Sequence, residues 1–146
     1  MINNTAFGLQ ATLVADKTFP KVGISLTTFA KDTDPFKIDS TSLKGTRFTL
    51  NGRLVSWDEV GGYPLSIALE NGAEDDTKMQ ILAKANTAEF GKKVVTDGIT
   101  ITAIYPDGSK TIFSNGILLE SVNGKSVASG GSIEVHIYKF LFQNKA

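Results

Sequence analysis

Few side chains in this sequence have the types and spacing that chemistry at a protein site requires. His136 is the only histidine and there is no cysteine, so a two-histidine metal site and a thiolate nucleophile are excluded. His136 shares one face of a predicted strand with Glu134 and Tyr138, which favours a structural role. The acidic pairs Asp58-Glu59 and Asp75-Asp76 are adjacent in sequence, but adjacency alone does not create a general acid and base. We predict that the protein is not an enzyme and has no catalytic residues.

Two further patterns bear on metal and cofactor binding. Asp32, Asp34 and Asp39 lack the spacing and the closing glutamate of a calcium loop, so we predict no metal there. Gly61-Gly62 precedes a predicted strand, whereas a phosphate-binding glycine loop leads into a helix. The sequence therefore predicts no metal and no cofactor.

Composition narrows the class of protein. A chain of 146 residues is one domain by length, 1–146, and should bury about 70% of the surface that its unfolded chain exposes. The net charge is zero and the charges are balanced in both halves, which argues against a sequence-specific nucleic-acid surface and a membrane-binding patch. The N-terminus lacks the pattern of a signal peptide, and no apolar run is long enough to span a membrane. We predict a soluble protein, synthesised in a cytoplasm, in which residues 1–8 are a flexible arm or an added strand.

The stretch from Tyr63 to Phe90 organises the chain, because it contains the only convincing helix pattern. We predict a helix over about residues 74–88, which is too short to be stable alone in water and must bury an apolar stripe against strands. That stripe consists of Ile81, Leu82 and Ala85. Three carboxylates at the start suit the positive end of the helix dipole, and the aspartates can cap a free N–H: Glu74, Asp75 and Asp76.

The rest of the chain alternates between apolar and polar residues, as strands do. We predict a hairpin from Leu9–Ala15 and Val22–Ala30, and a second from Thr46 to Trp57 with a two-residue type I′ turn at Asn51-Gly52. Further strands are predicted at Pro64–Glu70, Ile99–Tyr105, Thr111–Val122 with a bulge or tight turn at Asn115-Gly116, and Ser132–Gln143 with either a bulge near Lys139 or cover on both faces. The predicted fold is mainly β: an antiparallel β-sandwich or partly open barrel flanked by one α-helix.

The segment Lys31–Gly45 is long and polar for a connection inside a compact domain. It is either a surface loop or a protruding loop or hairpin that contacts a neighbouring subunit. Trp57 is more often a core plug or an interface anchor than a ligand platform. The candidate interface residues are therefore Asp34, Phe36, Ile38, Leu43 and Trp57.

Several short patterns give the sequence a likeness to a known family. They are the strand Pro64–Glu70 followed by an acidic turn and a short helix through Ile81-Leu82, and then Tyr105–Gly108, Ser114–Ile117, Ser126–Ser129 and Tyr138–Asn144. In this layout, over roughly residues 22–144, the chain resembles tail-tube-like proteins of contractile bacteriophages. The resemblance rests on layout and includes no diagnostic motif.

That resemblance implies a structural protein of the virion, located in the phage tail. It implies a ring of six copies that lines a channel for the genome, either in the tail tube or in a tube-like piece at the baseplate. The implied partners are further copies of the chain and the tube, sheath, baseplate and tape-measure proteins. Tube lumens are often acidic whereas this chain is neutral, so the strands that line the channel stay unassigned. We expect Lys31–Gly45 of one copy to contact the sheet edge or the helix of the next.

Other classes of protein remain open at this point. A carbohydrate- or surface-binding β-sandwich module of a tail fibre or adhesin would use Trp57 and Tyr63 as exposed platforms. A hydrolase would need a convergent acid pair, which the sequence does not reveal. An all-β domain with another role is the simplest alternative.

Overall fold

The computed structural model describes residues 8–30, 34–59, 61–94, 96–122, 124–127 and 129–146. Of the predicted N-terminal arm, residues 1–7 lie outside the described residues. The strands are β1 (Gln10–Ala15), β2 (Phe19–Leu26), β3 (Phe36–Ile38), β4 (Lys44–Phe48), β5 (Leu54–Asp58), β6 (Tyr63–Leu69), β7 (Ile99–Ile104), β8 (Lys110–Glu120) and β9 (His136–Lys145). One helix, α1 (Glu74–Ala85), lies between β6 and β7 in the described part of the chain.

Seven strands form a single antiparallel sheet in the order β2-β1-β7-β8-β9-β6-β3. The sheet curves into a half-barrel. The strands β4 and β5 pair with each other in a separate two-stranded sheet. The structure thus confirms the predicted mainly β fold with one helix, and of the two predicted architectures it is the partly open barrel.

One face of the large sheet forms the hydrophobic core. Strand alternation places every second side chain on this face, as predicted for β1, β6 and β7. The largest fully buried side chains are Leu13, Ile24, Leu26, Leu65, Ile67, Leu69, Met79, Leu82, Phe113, Tyr138, Phe140 and Phe142. Because Met79 and Leu82 come from α1, the helix closes the core over the sheet.

The helix packs with a different face from the predicted one. Leu82 is buried, but Ile81 is 53% exposed, and the buried residues beside Leu82 are Asp75, Asp76, Met79 and Ala83. The prediction assumed that only apolar side chains face the core. Both aspartates turn inward instead, because hydrogen-bond donors from the sheet meet their carboxylates.

The ends of the helix also differ from prediction. At the start, Asp75 Oδ1 accepts from the Asp76 N–H at 2.9 Å and so satisfies one free N–H of the first turn, as expected, while Asp76 Oδ2 lies 3.3 Å from the N–H of Gly72, which precedes the helix. At the other end α1 stops at Ala85, three residues before the predicted end. Asn86 ends it because its side-chain Nδ2 donates to the Leu82 carbonyl at 2.9 Å and to Asp97 at 2.8 Å.

Asp97 joins the end of the helix to the β1–β2 turn. Its carboxylate accepts the N–H groups of Lys17 and Thr18, each at 2.9 Å, and the Thr18 hydroxyl at 2.6 Å. Burial by itself would raise the pKa of Asp97, but the hydrogen bonds from Thr18, Asn86 and Lys17 outweigh it and hold the pKa below 3.8.

Irregular pairing between strands determines which side chains are exposed on β2 and β8. The predicted bulge is present on β8, where Asn115 has a φ of 53° and the pairing with β7 shifts. Phe113 lies in the core, and its neighbour Ile112 is partly exposed on the other face. Val22 is also exposed, because the β1–β2 pairing is irregular beside it. On β9 the pairing with β6 is continuous, and the register shift lies on β8, between Leu118 and Glu120.

The β4–β5 hairpin is confirmed, but its type I′ turn is wrong. Phe48 pairs with Leu54, so five residues separate the strands. The Gly52 N–H donates to the Thr49 carbonyl at 2.9 Å, and Gly52 has a φ of 81°, whereas Asn51 has a negative φ. A type I′ turn requires positive φ at both central residues, and here only Gly52 has one, so the five-residue loop does not contain this turn.

The helix face can be tested with two adjacent residues. Leu82→Ala should lower the free energy of unfolding by about 2–5 kcal/mol, because it leaves a cavity in the core. Ile81→Ala, the matched control, should change it by about 0.5 kcal/mol or less. Urea unfolding of both variants measures the difference, and equal losses would mean that the face is assigned wrongly.

The Asp97 contacts predict a dependence of stability on pH. Folding lowers the pKa of Asp97. The contribution of Asp97 to the free energy of unfolding is therefore complete above pH of about 5, and it is lost as the pH falls through 3.8 toward the pKa of the folded state. Asp97→Asn should therefore cost about 1.5–3 kcal/mol at pH 7 and progressively less below pH of about 4. Urea unfolding between pH 7 and pH 3 measures this, with Glu89→Gln on an exposed loop as the control. A cost that is independent of pH would contradict the assignment.

Candidate assembly surface

The β4–β5 hairpin forms its own two-stranded sheet, separate from the seven-stranded sheet. Its two strands form no ladder with the seven-stranded sheet in the part of the chain that the structure describes. The connections at its base are held by the Glu59 N–H donating to the Leu43 carbonyl at 3.2 Å and by the Thr41 hydroxyl donating to the Gly62 carbonyl at 3.3 Å. An ion pair between Lys44 and Asp58 lies at its first cross-strand position.

Each face of the hairpin has a distinct composition. On one face Phe48 is opposite Leu54, with Thr46 and Ser56 between this pair and the ion pair. On the other face the Trp57 ring lies over Gly45, where an added Cβ would overlap the ring. The Arg47 guanidinium is 5.8 Å from the centroid of that ring. Trp57 is thus fixed on the hairpin by its cross-strand neighbours.

Large apolar side chains of the hairpin are exposed to solvent. Phe48 is 71% exposed and Leu54 is 60% exposed, and Leu50 in the turn is fully exposed. Together with Leu43 and Trp57 they form what we call the hairpin surface: Leu43, Phe48, Leu50, Leu54 and Trp57. These exposed apolar groups lie on both faces of the hairpin and in its turn, and several such groups on one unit mark an interaction site more often than single ones do.

The structure divides the five candidate interface residues between two places. Leu43 and Trp57 belong to the hairpin surface. Asp34, Phe36 and Ile38 lie on or next to β3, the edge strand that pairs with β6. Phe36 packs against the core and meets the Phe29 ring edge-on at 6.5 Å, whereas Ile38 is 41% exposed.

Sequence reasoning missed three members of the hairpin surface. Phe48, Leu50 and Leu54 lie inside the predicted hairpin from Thr46 to Trp57 but were not among the candidate interface residues. One signal in the sequence could have revealed their exposure. Apolar residues occur on both faces of this short hairpin, and a two-stranded hairpin buries both faces only if other parts of a protein cover it.

The uncovered face of the large sheet has two halves. Across β2, β1 and β7 it presents a row of hydroxyl side chains, in which Thr12 is the cross-strand neighbour of Ser25 and of Thr102. Across β8, β9 and β6 it is aliphatic around Ile117, which is opposite Leu141, and charged at Lys139, which is opposite Ser66 and forms an ion pair with Glu120. A hollow of about 370 Å³ in this aliphatic half is lined by Gly61, Gly62, Asn115, Ile117, Leu141 and Phe142, with Gln143 at its rim.

No helix of the described residues is long and apolar enough to cross a membrane.

The comparison with protein families indicates a phage-tail-related structural protein. Residues 2–146 match the family model described as "Tail fiber protein gp32". The chain therefore belongs to this family, whose members are structural tail proteins, a class that is generally not enzymatic. Its place is the tail of the virion. None of the curated proteins compared with the chain matches it.

Solved structures share the fold at low sequence identity. One is a chain of the anti-feeding prophage (AFP) baseplate, from a six-fold symmetrised cryo-EM structure, with a TM-score of 0.55 and 6% identity over 100% of this chain and 95% of that chain. Another is a chain of the AFP cap, which terminates the AFP tube, with a TM-score of 0.50 and 12% identity over 100% of this chain and 91% of that chain. At such identities the likeness shows a common fold.

Proposed function

We propose that the protein is a structural subunit of a ring of six copies, in the phage tail tube or at the junction of tube and baseplate, whose inner face lines the channel for genome passage. The observation that carries this proposal is the hairpin surface. Five large apolar side chains project from a unit that the described part of the chain leaves uncovered. Burying them against a second copy would remove their apolar area from water. The shared fold with chains of AFP baseplate and cap structures supports the proposal.

Closing a ring requires two different patches that meet head to tail. The hairpin surface is one patch. The aliphatic hollow is suited to be the other, since it is apolar and large enough to receive side chains such as Phe48 and Leu50. In this arrangement the hairpin of one copy lies over β8 and β9 of the next.

The hydroxyl-bearing half of the sheet then faces the channel. Thr12, Ser25 and Thr102 carry no charge, so passing nucleic acid meets neither a basic stripe that would hold it nor a dense acidic wall. This is our proposal for the channel face, which sequence reasoning left open. The other proposed partners are the tube, sheath, baseplate and tape-measure proteins.

A second candidate function follows from the description of the family as tail fibre proteins. A carbohydrate- or surface-binding module would use Trp57, which is 46% exposed, as a platform. Tyr63, its predicted companion, packs against the core and is less suited to that role. Tryptophan fluorescence separates the two functions: quenching or a shift on adding sugars favours the module, and a blue shift on self-assembly favours the ring.

Substitutions on the two patches test the ring directly. Phe48→Ser with Leu54→Ser should abolish assembly, and Ile117→Ser in the hollow should weaken it, because each removes apolar contact area. Ile38→Ser on β3 tests the predicted role of the 31–45 segment. Multi-angle light scattering of the variants and of the parent protein measures the change in mass.

Ile81→Ser is the matched control, since Ile81 is exposed on α1, away from both patches. The hairpin variant should keep the circular dichroism of the parent protein, and its unfolding midpoint should equal that of the parent at concentrations where the parent is a monomer, because the substituted side chains are exposed in the monomer. If the variant with both hairpin substitutions is folded and still assembles, the proposed contact is wrong.

A further inference from the structure

The sequence contains four Asn-Gly pairs: Asn51-Gly52, Asn71-Gly72, Asn115-Gly116 and Asn123-Gly124. An asparagine that precedes glycine can lose ammonia without an enzyme, because no Cβ on the glycine hinders attack by its backbone nitrogen on the asparagine side chain. This attack requires the local backbone to open, so the tertiary structure decides which pair reacts. Asn123 lies outside the described residues, and the other three pairs have different surroundings.

The pair Asn115-Gly116 is held inside the large sheet. Asn115 is exposed, but Gly116 is buried and pairs with Ile99 on β7 and with Phe142 on β9. The Phe142 ring occupies the space that a Cβ on Gly116 would need. Turning the Gly116 nitrogen toward the Asn115 side chain would break the pairing on both sides, which slows the reaction in the folded protein.

The pair Asn71-Gly72 lies in the turn between β6 and α1 and is held by contacts on both sides. The N–H of Glu70, just before the pair, donates to the Thr28 carbonyl at 3.0 Å. The Gly72 N–H lies 3.3 Å from Oδ2 of Asp76. The Nδ2 atom of Asn71 is buried, so water has little access to the group that must leave. The folded structure therefore slows this pair too.

The pair Asn51-Gly52 lies in the turn of the β4–β5 hairpin, where little restrains it. Asn51 is exposed, and no described atom other than those of its chain neighbours lies within 4 Å of the position that a Cβ on Gly52 would take. The Gly52 N–H donates to the Thr49 carbonyl at 2.9 Å. This bond lies at the end of a two-stranded sheet, a structure that is marginally stable by itself, so fraying of the turn frees the Gly52 nitrogen.

We infer that Asn51 is a site of spontaneous deamidation, which converts its side-chain amide into a carboxylate at the tip of the hairpin surface. The Gly52 nitrogen gives its proton to hydroxide and bonds to Cγ of Asn51, and the Nδ2 group takes up a proton and leaves as ammonia. Water then opens the resulting succinimide ring at either of its carbonyls, which gives aspartate or isoaspartate at position 51. Water is the only co-reactant, and no electrons are transferred.

The added charge acts on assembly, and this consequence rests on the function proposed above. The tip carries Leu50, which is fully exposed and suited to enter the aliphatic hollow of the next copy. A carboxylate beside Leu50 would lose its water on docking, and none of the residues that line the hollow is positively charged. Subunits that stay unassembled therefore lose the ability to join a ring, whereas docking holds the tip and protects Asn51.

Peptide mass analysis of the whole folded protein, after incubation at mildly alkaline pH, tests the site. Trypsin cleaves after lysine and arginine and so puts each asparagine in a different peptide: Asn51 in 48–53, Asn71 in 54–78 and Asn115 in 111–125, where fragment ions locate it. The mass gain from replacing NH₂ by OH should appear about tenfold or more faster at Asn51 than at the other two. It should appear as two products of equal mass, one with aspartate and one with isoaspartate.

Two controls separate structure from intrinsic reactivity. In urea-unfolded protein the three asparagines should react at similar rates, because the contacts that restrain two of them are lost. Asn51→Gln should not gain mass in the peptide 48–53, since the longer side chain would have to close a less favourable ring. The site is overturned if Asn51 reacts no faster than Asn71 and Asn115 in the folded protein, or if Asn51→Gln gains mass as fast as the parent protein.

Light scattering of two variants tests the consequence for assembly. Asn51→Asp carries the added charge and should assemble less than Asn51→Gln, the neutral matched control. Equal masses of the two assemblies would overturn the effect on assembly. A parent protein that stays monomeric would contradict the proposed ring, whereas the peptide masses would still decide whether Asn51 is the site of deamidation.

Discussion

The structure depends on two adjacent carboxylates that fasten one short helix across a curved sheet. Asp75 accepts the N–H groups of Thr27 and Thr28, just beyond β2, while Asp76 accepts the Tyr138 hydroxyl on β9 and lies 2.8 Å from Nδ1 of His136 on the same strand. The strands β2 and β9 are separated by β1, β7 and β8 in the sheet. The helix therefore spans the open side of the half-barrel, and its buried charges are tolerated because donors from both sides satisfy them. Met79 and Leu82 then complete the core beneath it.

Because α1 closes the core, the β4–β5 hairpin contributes no residue to the core cluster of the described fold. Its apolar side chains stay in water, together with the aliphatic half of the uncovered sheet face. A chain that leaves two separate apolar surfaces exposed is suited to repeat itself head to tail. We therefore expect the stability of the subunit and its proposed assembly to be separable, because the contacts that hold α1 lie on one face of the sheet and the proposed subunit contacts lie on the hairpin and the other face.

Periodicity predicted the elements well where one simple rule determines them. The alternation of Leu65, Ile67 and Leu69 was enough to place β6, and the proline-glycine turn after Tyr105 ends β7 as its chemistry requires, with Gly108 at a φ of 90°. Tertiary contacts decided the rest. Asp75 and Asp76 face inward only because Thr27, Thr28 and His136 meet them, and no local pattern contains that information. The exposure of Phe48 and Leu54 was equally hidden, since an apolar pair beside a turn normally predicts burial.

Native mass by light scattering over a range of concentrations, followed by negative-stain imaging, tests the central claim most directly. The account predicts a multiple of the subunit mass and rings with a central hole, in which Trp57 fluorescence is shielded from a soluble quencher. A monomer at every concentration, with Trp57 accessible to the quencher throughout, would contradict the claim that the hairpin surface joins copies of this chain.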